Sequence, residues 1–279
     1  ISVYGGFLTV NDGVFNGGAL AVIFTEETMF YNTQGKGIIY GGTFNNGIEI
    51  GYSDDDFRLI NVIADGYGVF GEDGNEIILT ELQRYVYENI TVKESVSERE
   101  YVASVTFADG TVKEFVSFIN AYIIATETDN SILTLYSDVV LNSGITPTKY
   151  DSPDFTFDLN GFTVSGNSDN YIFGLTNRSK IVIKDSVGTG KIINTNESFG
   201  SVFANEGTLI IEGGNIISTA KSAIKSDNTV IVYGGSISGK TYGIESEGNV
   251  VIYDGEISGQ KYGLYMSTKT GPVATLYGG

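Results

Sequence analysis

The sequence predicts an all-β fold, a parallel β-helix or β-solenoid, from three observations. First, the segments that begin at Thr208, Thr229 and Asn249 resemble one another. Second, each segment alternates short β-branched runs with Gly-Gly or Asp-Gly and polar turn residues. Third, apolar residues recur at the same place in successive segments. These features are typical of a chain that winds in stacked turns around an apolar interior.

The repeat length is the basis for choosing a solenoid. A period of about 20 residues with three short strands suits turns that hydrogen-bond to the next turn about 4.8 Å away. Leucine-rich repeats share this period, but their leucine and asparagine frame is missing here, as is a helical spacing between the strands. The predicted inward ladders are Ile211, Val232 and Ile252; Ile216, Ile237 and Ile257; and Phe203, Ile224, Ile244 and Leu264.

Glycines mark the predicted corners between strands. Positions 213, 214, 234, 235, 255, 278 and 279 are expected to need a positive φ or a close backbone approach. No phosphate-binding spacing accompanies them. Less regular turns are expected at 155–166 and 179–195, and the last repeat breaks off at 273–279, so we expect the module to continue further.

The sequence predicts two modules in tandem, with short capping helices at their junction. Residues 1–95 are expected to hold the C-terminal turns and closing cap of a first module, the cap comprising a helix near 54–67 and a hairpin that follows it. Residues 96–279 are expected to hold junction strands around Asp109-Gly110, a capping helix and the N-terminal turns of a second module. The capping helix is predicted within 112–127, with its apolar face formed by Phe115, Phe118, Ile119, Tyr122 and Ile123.

Composition excludes several functions. The formal net charge is -18, which disfavours nucleic acid and anionic membrane surfaces as partners. The chain has no cysteine and no histidine, so it cannot form a Cys/His zinc site, a Ser-His-Asp triad or a Cys-His dyad. The sequence also has no apolar run long enough to predict membrane insertion. Because the chain has neither a Cys/His metal site nor a phosphate-binding spacing, we expect no cofactor.

Several motifs together resemble a known family. FTFDLNGFTVSG, IVIKDSVGTGKI, VYGGSISG, IYDGEISG and GGTFNNGI resemble segments of large repetitive surface proteins of Gram-positive gut bacteria. The resemblance implies a right-handed parallel β-helix, secretion and an extracellular location at the bacterial cell surface. It also implies an adhesive, ligand-binding or spacer role without catalysis. The expected partner is a host glycan or a host protein such as an immunoglobulin, and the chain is expected to be a monomeric module of a longer protein.

Candidate binding residues are aromatic or acidic. Tyr242 and Tyr262 share a repeat position and Tyr265 lies nearby, so they could form an exposed strip that packs on sugars or on a protein. The structural alternative is a ladder of equal residues. Asp54, Asp55 and Asp56 are candidate calcium ligands, although acidic residues at a helix start also cap free amides.

A polysaccharide-active β-helix enzyme, a lyase or glycoside hydrolase, is the alternative function. It would need two or three carboxylates on neighbouring turns with one raised pKa. The repeats offer Glu212, Glu245, Glu247, Asp254 and Glu256, which solvated corners explain more simply. Arg178 and Lys180 are a lone pair of cations near one corner, which we interpret as surface charges. We therefore predict that the chain is not an enzyme.

Overall fold

The computed structural model describes most of the chain and divides it into two compact units. The described residues are 1–4, 7–18, 21–27, 33–34, 36–51, 62–64, 66–77, 85–95, 101–141, 144–146, 154–176, 179–267 and 271–278. The units are Ile1–Glu100 and Tyr101–Gly279. Within the described ranges the chain forms an all-β solenoid of about 9 turns with one short helix.

The first unit combines parallel turns with an antiparallel end. Parallel pairing joins β1 to β4, β4 to β8, β2 to β6, and β3 to β7. The final strands instead run antiparallel: β11 pairs with β8, β12 pairs with β7 and β9, and β10 pairs with β9. The strands are β1 Ser2–Tyr4, β2 Phe7–Val10, β3 Val14–Asn16, β4 Val22–Glu27, β5 Thr33–Gln34, β6 Lys36–Ile39, β7 Gly42–Asn45, β8 Ile48–Ile50, β9 Tyr67–Phe70, β10 Glu76–Ile77, β11 Tyr85–Val86 and β12 Ile90–Glu94.

The predicted hairpin of this unit is confirmed. Strands β9 and β10 pair antiparallel, and the Gly71 backbone N–H donates to the Asn75 carbonyl at 3.0 Å across the turn. The helix predicted near 54–67 lies mostly outside the described residues. Interior packing includes a stacked pair, Phe15 and Phe44, with ring centroids 4.9 Å apart.

The second unit is a parallel solenoid with three sheets. One sheet has the order β14-β13-β15-β17-β20-β23-β26-β29-β32, the second β16-β18-β21-β24-β27-β30 and the third β19-β22-β25-β28-β31. Each complete turn therefore contributes one strand to each sheet. The strands are β13 Ala103–Thr106, β14 Val112–Phe115, β15 Ser131–Leu135, β16 Val139–Leu141, β17 Phe155–Asp158, β18 Thr163–Gly166, β19 Tyr171–Leu175, β20 Lys180–Lys184, β21 Lys191–Asn194, β22 Ser201–Asn205, β23 Thr208–Ile211, β24 Asn215–Ser218, β25 Ser222–Ser226, β26 Thr229–Val232, β27 Ser236–Gly239, β28 Tyr242–Ser246, β29 Val250–Ile252, β30 Glu256–Gly259, β31 Tyr262–Met266 and β32 Ala274–Leu276.

The three predicted ladders are confirmed in register. Ile211 pairs with Val232 and Val232 with Ile252. The ladder through Ile237 and the ladder through Ile244 have the predicted members as direct partners. These side chains are buried except in the last turn, where Ile257 and Leu264 are half-buried. The less regular turns expected at 155–166 and 179–195 also form. The first contains the strands β17 and β18, and the second contains β20 and β21.

The corner glycines are only partly as predicted. Gly235 has φ +86°, and a Cβ there would lie 2.6 Å from the Gly214 carbonyl oxygen. Gly214, Gly255 and Gly278 also have a positive φ or a close backbone neighbour. A Cβ on Gly234 would lie 3.2 Å from the Glu212 carbonyl oxygen. The prediction is wrong for Gly213, whose φ is not positive and whose Cβ would meet no atom closer than 3.6 Å. Gly279 lies outside the described residues.

A helix and a hairpin together cover the first turn of this unit. Helix α1, Phe118–Glu127, begins after Ser117, whose hydroxyl accepts from the Asn120 backbone N–H. Phe118 and Tyr122 are buried and pack on Phe157 and Phe173 of the next turn. Strand β15 of the first turn pairs antiparallel with β13, so the hairpin, and not the helix, covers the edge of β15.

The predicted extent of this helix is wrong. Val112–Phe115 is strand β14, which pairs with β13 around the turn at Asp109-Gly110. Phe115 is buried from that strand, whereas Ile119 and Ile123 are only half-buried. The apolar residues have a helical spacing that extends into Val112–Phe115, but pairing with β13 holds that segment as a strand. None of the helices in the described ranges is long and apolar enough to cross a bilayer.

Candidate binding site

The three candidate tyrosines lie on two adjacent turns of the second unit. Tyr242 begins β28 and Tyr262 begins β31, and the two residues are direct partners in the parallel register. Tyr265 is the partner of Glu245 in the same pair of strands. The structure thus brings together the three residues that the sequence singled out.

Strand β28 has two outward positions, Tyr242 and Glu245, that are three residues apart, and a glycine explains this spacing. Each position continues as a row of outward residues along the neighbouring turns. Regular alternation would turn the residue after next outward, but Gly243 and Ile244 are both buried, and the outward positions are Tyr242 and Glu245. A Cβ on Gly243 would lie 2.7 Å from the Gly263 carbonyl oxygen, so this close approach requires glycine. As a result, Tyr265, which belongs to the row of Glu245, lies beside Tyr242 and Tyr262, which form the other row.

The rings form a stacked triangle, which we call the tyrosine cluster. Tyr242 and Tyr265 have centroids 4.8 Å apart with planes inclined by 15°. Tyr262 lies 6.1 Å from each of the other two rings, with nearly parallel planes. Tyr262 and Tyr265 are 49% and 39% exposed, and Tyr242 is half-buried. Flat aromatic surface is therefore presented to solvent.

Two lysines border the tyrosine cluster. The Nζ of Lys221 lies 5.9 Å from the Tyr242 ring centroid, and the Nζ of Lys261 lies 5.6 Å from that of Tyr262. Both contacts lie within cation–π range. Lys221 also forms a 3.0 Å ion pair with Glu245, which accepts a 2.7 Å hydrogen bond from the Ser222 hydroxyl. The border of the cluster thus holds one lysine that is paired with a glutamate and a second lysine, Lys261.

The sequence interpretation missed these lysines. Their signal is present, since Lys221 and Lys261 each stand immediately before the first residue of their strand, Ser222 of β25 and Tyr262 of β31. Cationic residues next to exposed rings favour ligands with hydroxyl or acidic groups, whereas bare rings favour any flat partner. The cluster can therefore combine stacking with hydrogen bonding. Whether it binds a ligand stays a prediction.

A second tyrosine ladder lies at another corner of the same unit. Tyr233, Tyr253 and Tyr277 precede the corner glycines, and their rings stack at 4.8 and 4.9 Å with planes inclined by 6°. This spacing equals the separation of adjacent strands. We interpret this set as the structural ladder that repeated equal residues produce. In the first unit, Tyr40 makes an edge-on contact with Tyr67, with ring centroids 5.8 Å apart.

The most buried carboxylate among the described residues is one that the sequence interpretation did not select. Asp158 is 6% exposed and accepts hydrogen bonds from the backbone and hydroxyl of Ser186 and from the Asn160 backbone. Burial acts to raise the pKa of Asp158, but these bonds and Lys184, 3.4 Å away, outweigh it, and the pKa lies below its usual value. A general acid needs the opposite shift, so Asp158 suits a structural role.

The remaining acidic and basic candidates make local contacts or lie outside the described residues. Glu245 is held by Lys221 and Ser222, and Asp254 accepts from the Gly255 backbone N–H. Asp54, Asp55 and Asp56 lie outside the described residues, as does Arg178. Lys180 forms an ion pair with Asp154. Among the described residues, no three acidic side chains are grouped closely enough to hold a metal ion.

Fold and site together define the class of protein: a β-solenoid repeat protein that displays exposed aromatic rings on its corners. A scan against protein-family models, a search of curated proteins and a search of solved structures each found no match.

Proposed function

We propose that the chain is a non-catalytic glycan-binding module, in which the tyrosine cluster is the contact surface. The single observation that carries the proposal is the exposed, nearly parallel stack of Tyr242, Tyr262 and Tyr265 on two adjacent turns. Sugar rings present flat C–H faces that pack on aromatic rings, and their hydroxyls need polar partners at the rim. Lys221, Lys261 and Glu245 supply such partners.

The proposal includes a setting. The module belongs to a secreted protein displayed on a bacterial cell surface, where it contacts a host glycan. Support comes from the motifs that resemble such proteins and from a fold that remains a stiff stack of hydrogen-bonded turns without any cysteine. In this proposal the solenoid is right-handed, as parallel crossover connections generally are. The two units are consecutive modules of one longer chain.

A glycan array with the purified chain and two variants tests the function. In the first variant, Tyr242→Ser and Tyr262→Ser place serine where Ser201 and Ser222 already stand in the same row of earlier turns. The matched control is Tyr233→Ser with Tyr253→Ser in the second ladder. We expect the chain and the control to retain the same glycan signals and the first variant to lose them.

Three outcomes would contradict the proposal. Equal glycan binding by all three proteins would place the contact elsewhere on the chain. Binding to a host protein such as an immunoglobulin, with no glycan signal, would favour a protein partner. Release of reducing or unsaturated sugars from a polysaccharide panel would favour the alternative of an enzyme.

A further inference from the structure

A small cavity in the first unit lies where β11 pairs with β8. The described residues that line it are Glu49, Ile50, Gly51, Tyr85 and Tyr87, and its volume is about 230 Å³. Tyr85 is the direct antiparallel partner of Glu49. One strand thus supplies a carboxylate and the neighbouring segment supplies two phenol rings. The volume suits one compact group, since pockets for drug-sized ligands begin at about 300 Å³.

The two rings present aromatic faces to the solvent. Tyr85 and Tyr87 are two residues apart, so they lie on the same side of the extended chain. Their ring centroids are 4.4 Å apart and their planes are inclined by 10°. They are 53% and 57% exposed, although Val86 between them is buried. The exposed rings therefore contribute little to the core, and their outer faces can contact a ligand.

The carboxylate gives this cavity a negative potential. Glu49 and Tyr87 line the cavity together, and the carboxylate charge acts on the Tyr87 hydroxyl. Desolvation, and then the negative charge of Glu49, raises the pKa of Tyr87 above its usual value. None of the five described lining residues is cationic, and the formal charge of the whole chain is -18. Aromatic ring faces also carry negative charge density.

We propose that this cavity binds an alkylammonium group, such as a choline headgroup or a lysine side chain. Glu49 is its counter-ion, and the rings of Tyr85 and Tyr87 form its aromatic wall. A cation gains the full charge attraction of the carboxylate and the attraction of the ring faces together, whereas a neutral sugar hydroxyl gains a hydrogen bond to Glu49 but no attraction between opposite charges. The proposal is independent of the tyrosine cluster, because it concerns different residues of a different unit.

Binding can be measured by titrating the full chain while following the backbone amide NMR signals of residues 49–51 and 85–87. The probes are choline, Nα-acetyl-lysine amide, methyl glycosides and 3,3-dimethylbutanol, an uncharged molecule with the shape of choline. We expect choline to shift these signals and the uncharged isostere to bind at least tenfold more weakly. Binding of choline should also weaken as salt is raised, because the site is open to solvent. Comparison of choline with the lysine probe distinguishes a quaternary from a primary ammonium.

Variants assign the effect to the cavity. Glu49→Gln keeps the shape and removes the charge, and we expect choline binding to fall at least tenfold. Tyr85→Leu should also reduce it, whereas Glu256→Gln, at an exposed carboxylate of the second unit, should leave it unchanged. Circular dichroism and urea unfolding confirm that each variant is folded.

Several results would overturn the proposal. Equal binding of choline and 3,3-dimethylbutanol would show an apolar cavity with no preference for charge. Binding of methyl glycosides in place of choline would show a saccharide site. Unchanged choline binding in Glu49→Gln, or no response of these signals to any ammonium probe, would show that the cavity does not recognise the cation.

Discussion

The rings of Tyr242 and Tyr262 lie 6.1 Å apart with planes inclined by 1°, although the two residues are direct partners in adjacent strands. The partners Tyr233 and Tyr253 stack at 4.8 Å. The nearest ring to Tyr242 is instead that of Tyr265, which belongs to the neighbouring row. The tyrosine cluster is therefore a broader surface than a ladder of equal residues requires.

The first prediction separates binding from stability. Tyr242→Ser with Tyr262→Ser should lower the free energy of unfolding by only about 1–2 kcal/mol, because a stacked aromatic pair contributes about 0.5–1.5 kcal/mol beyond its buried area and only Tyr242 is half-buried. Urea unfolding measures this change, and Tyr233→Ser with Tyr253→Ser is the matched control. A loss of several kcal/mol in the first variant would mean that the cluster is part of the packing.

The second prediction concerns the inward ladder. Ile237 is fully buried between its partners Ile216 and Ile257, so Ile237→Ala should lower the free energy of unfolding by about 2–5 kcal/mol. Ile217, a half-buried residue on the outer side of β24, is the matched control, and Ile217→Ala should cost clearly less. Equal costs in urea unfolding would contradict the assignment of inner and outer faces.

The third prediction concerns one corner. Gly235→Ala forces a side chain into φ +86° and against the Gly214 carbonyl oxygen. It should therefore destabilise the chain by about 1–3 kcal/mol. Gly213→Ala, one turn earlier, should be nearly neutral, because its φ is not positive and a Cβ there would make only ordinary contacts, at 3.6 Å or more. Thermal and urea unfolding of the pair provide the comparison. A neutral Gly235→Ala would show that the corner has a different backbone conformation.

The fourth prediction is a pH dependence. The folded-state pKa of Asp158 is lowered, so its contribution to stability is complete above the unfolded-state pKa of about 3.9 and is lost as pH falls below that value toward the folded pKa. Asp158→Asn should therefore destabilise the chain most at pH 6–7, and the difference from the unchanged chain should shrink between pH 4 and pH 2. A difference that grows on acidification would contradict the sign.

The core of the second unit could be predicted because each ladder repeats in the sequence. Ile211, Val232 and Ile252 each stand two residues before the Gly-Gly or Asp-Gly turn in three successive segments, and parallel stacking then forces them into register. The extent of the capping helix could not be predicted in the same way. Phe115 fits the helical spacing, but its backbone pairs with Ala103 of β13, a contact that sequence periodicity does not contain.

The candidate site was predictable in part. The shared position of Tyr242 and Tyr262 follows from the repeat, but the inclusion of Tyr265 depends on the break in alternation at Gly243. The cavity beside Glu49 and Tyr85 left no repeat signal, because it is formed by an antiparallel pair at the end of the first unit. Nonrepeating contacts of this kind appear only once the chain is folded.

Calorimetric titration of the strongest glycan from the array into three proteins tests the central claim most directly. If the tyrosine cluster is the contact surface, Tyr242→Ser with Tyr262→Ser should weaken the affinity at least tenfold, about 1.4 kcal/mol. The unchanged chain and Tyr233→Ser with Tyr253→Ser should bind alike. Equal affinity for all three proteins would contradict the claim that the cluster binds the glycan.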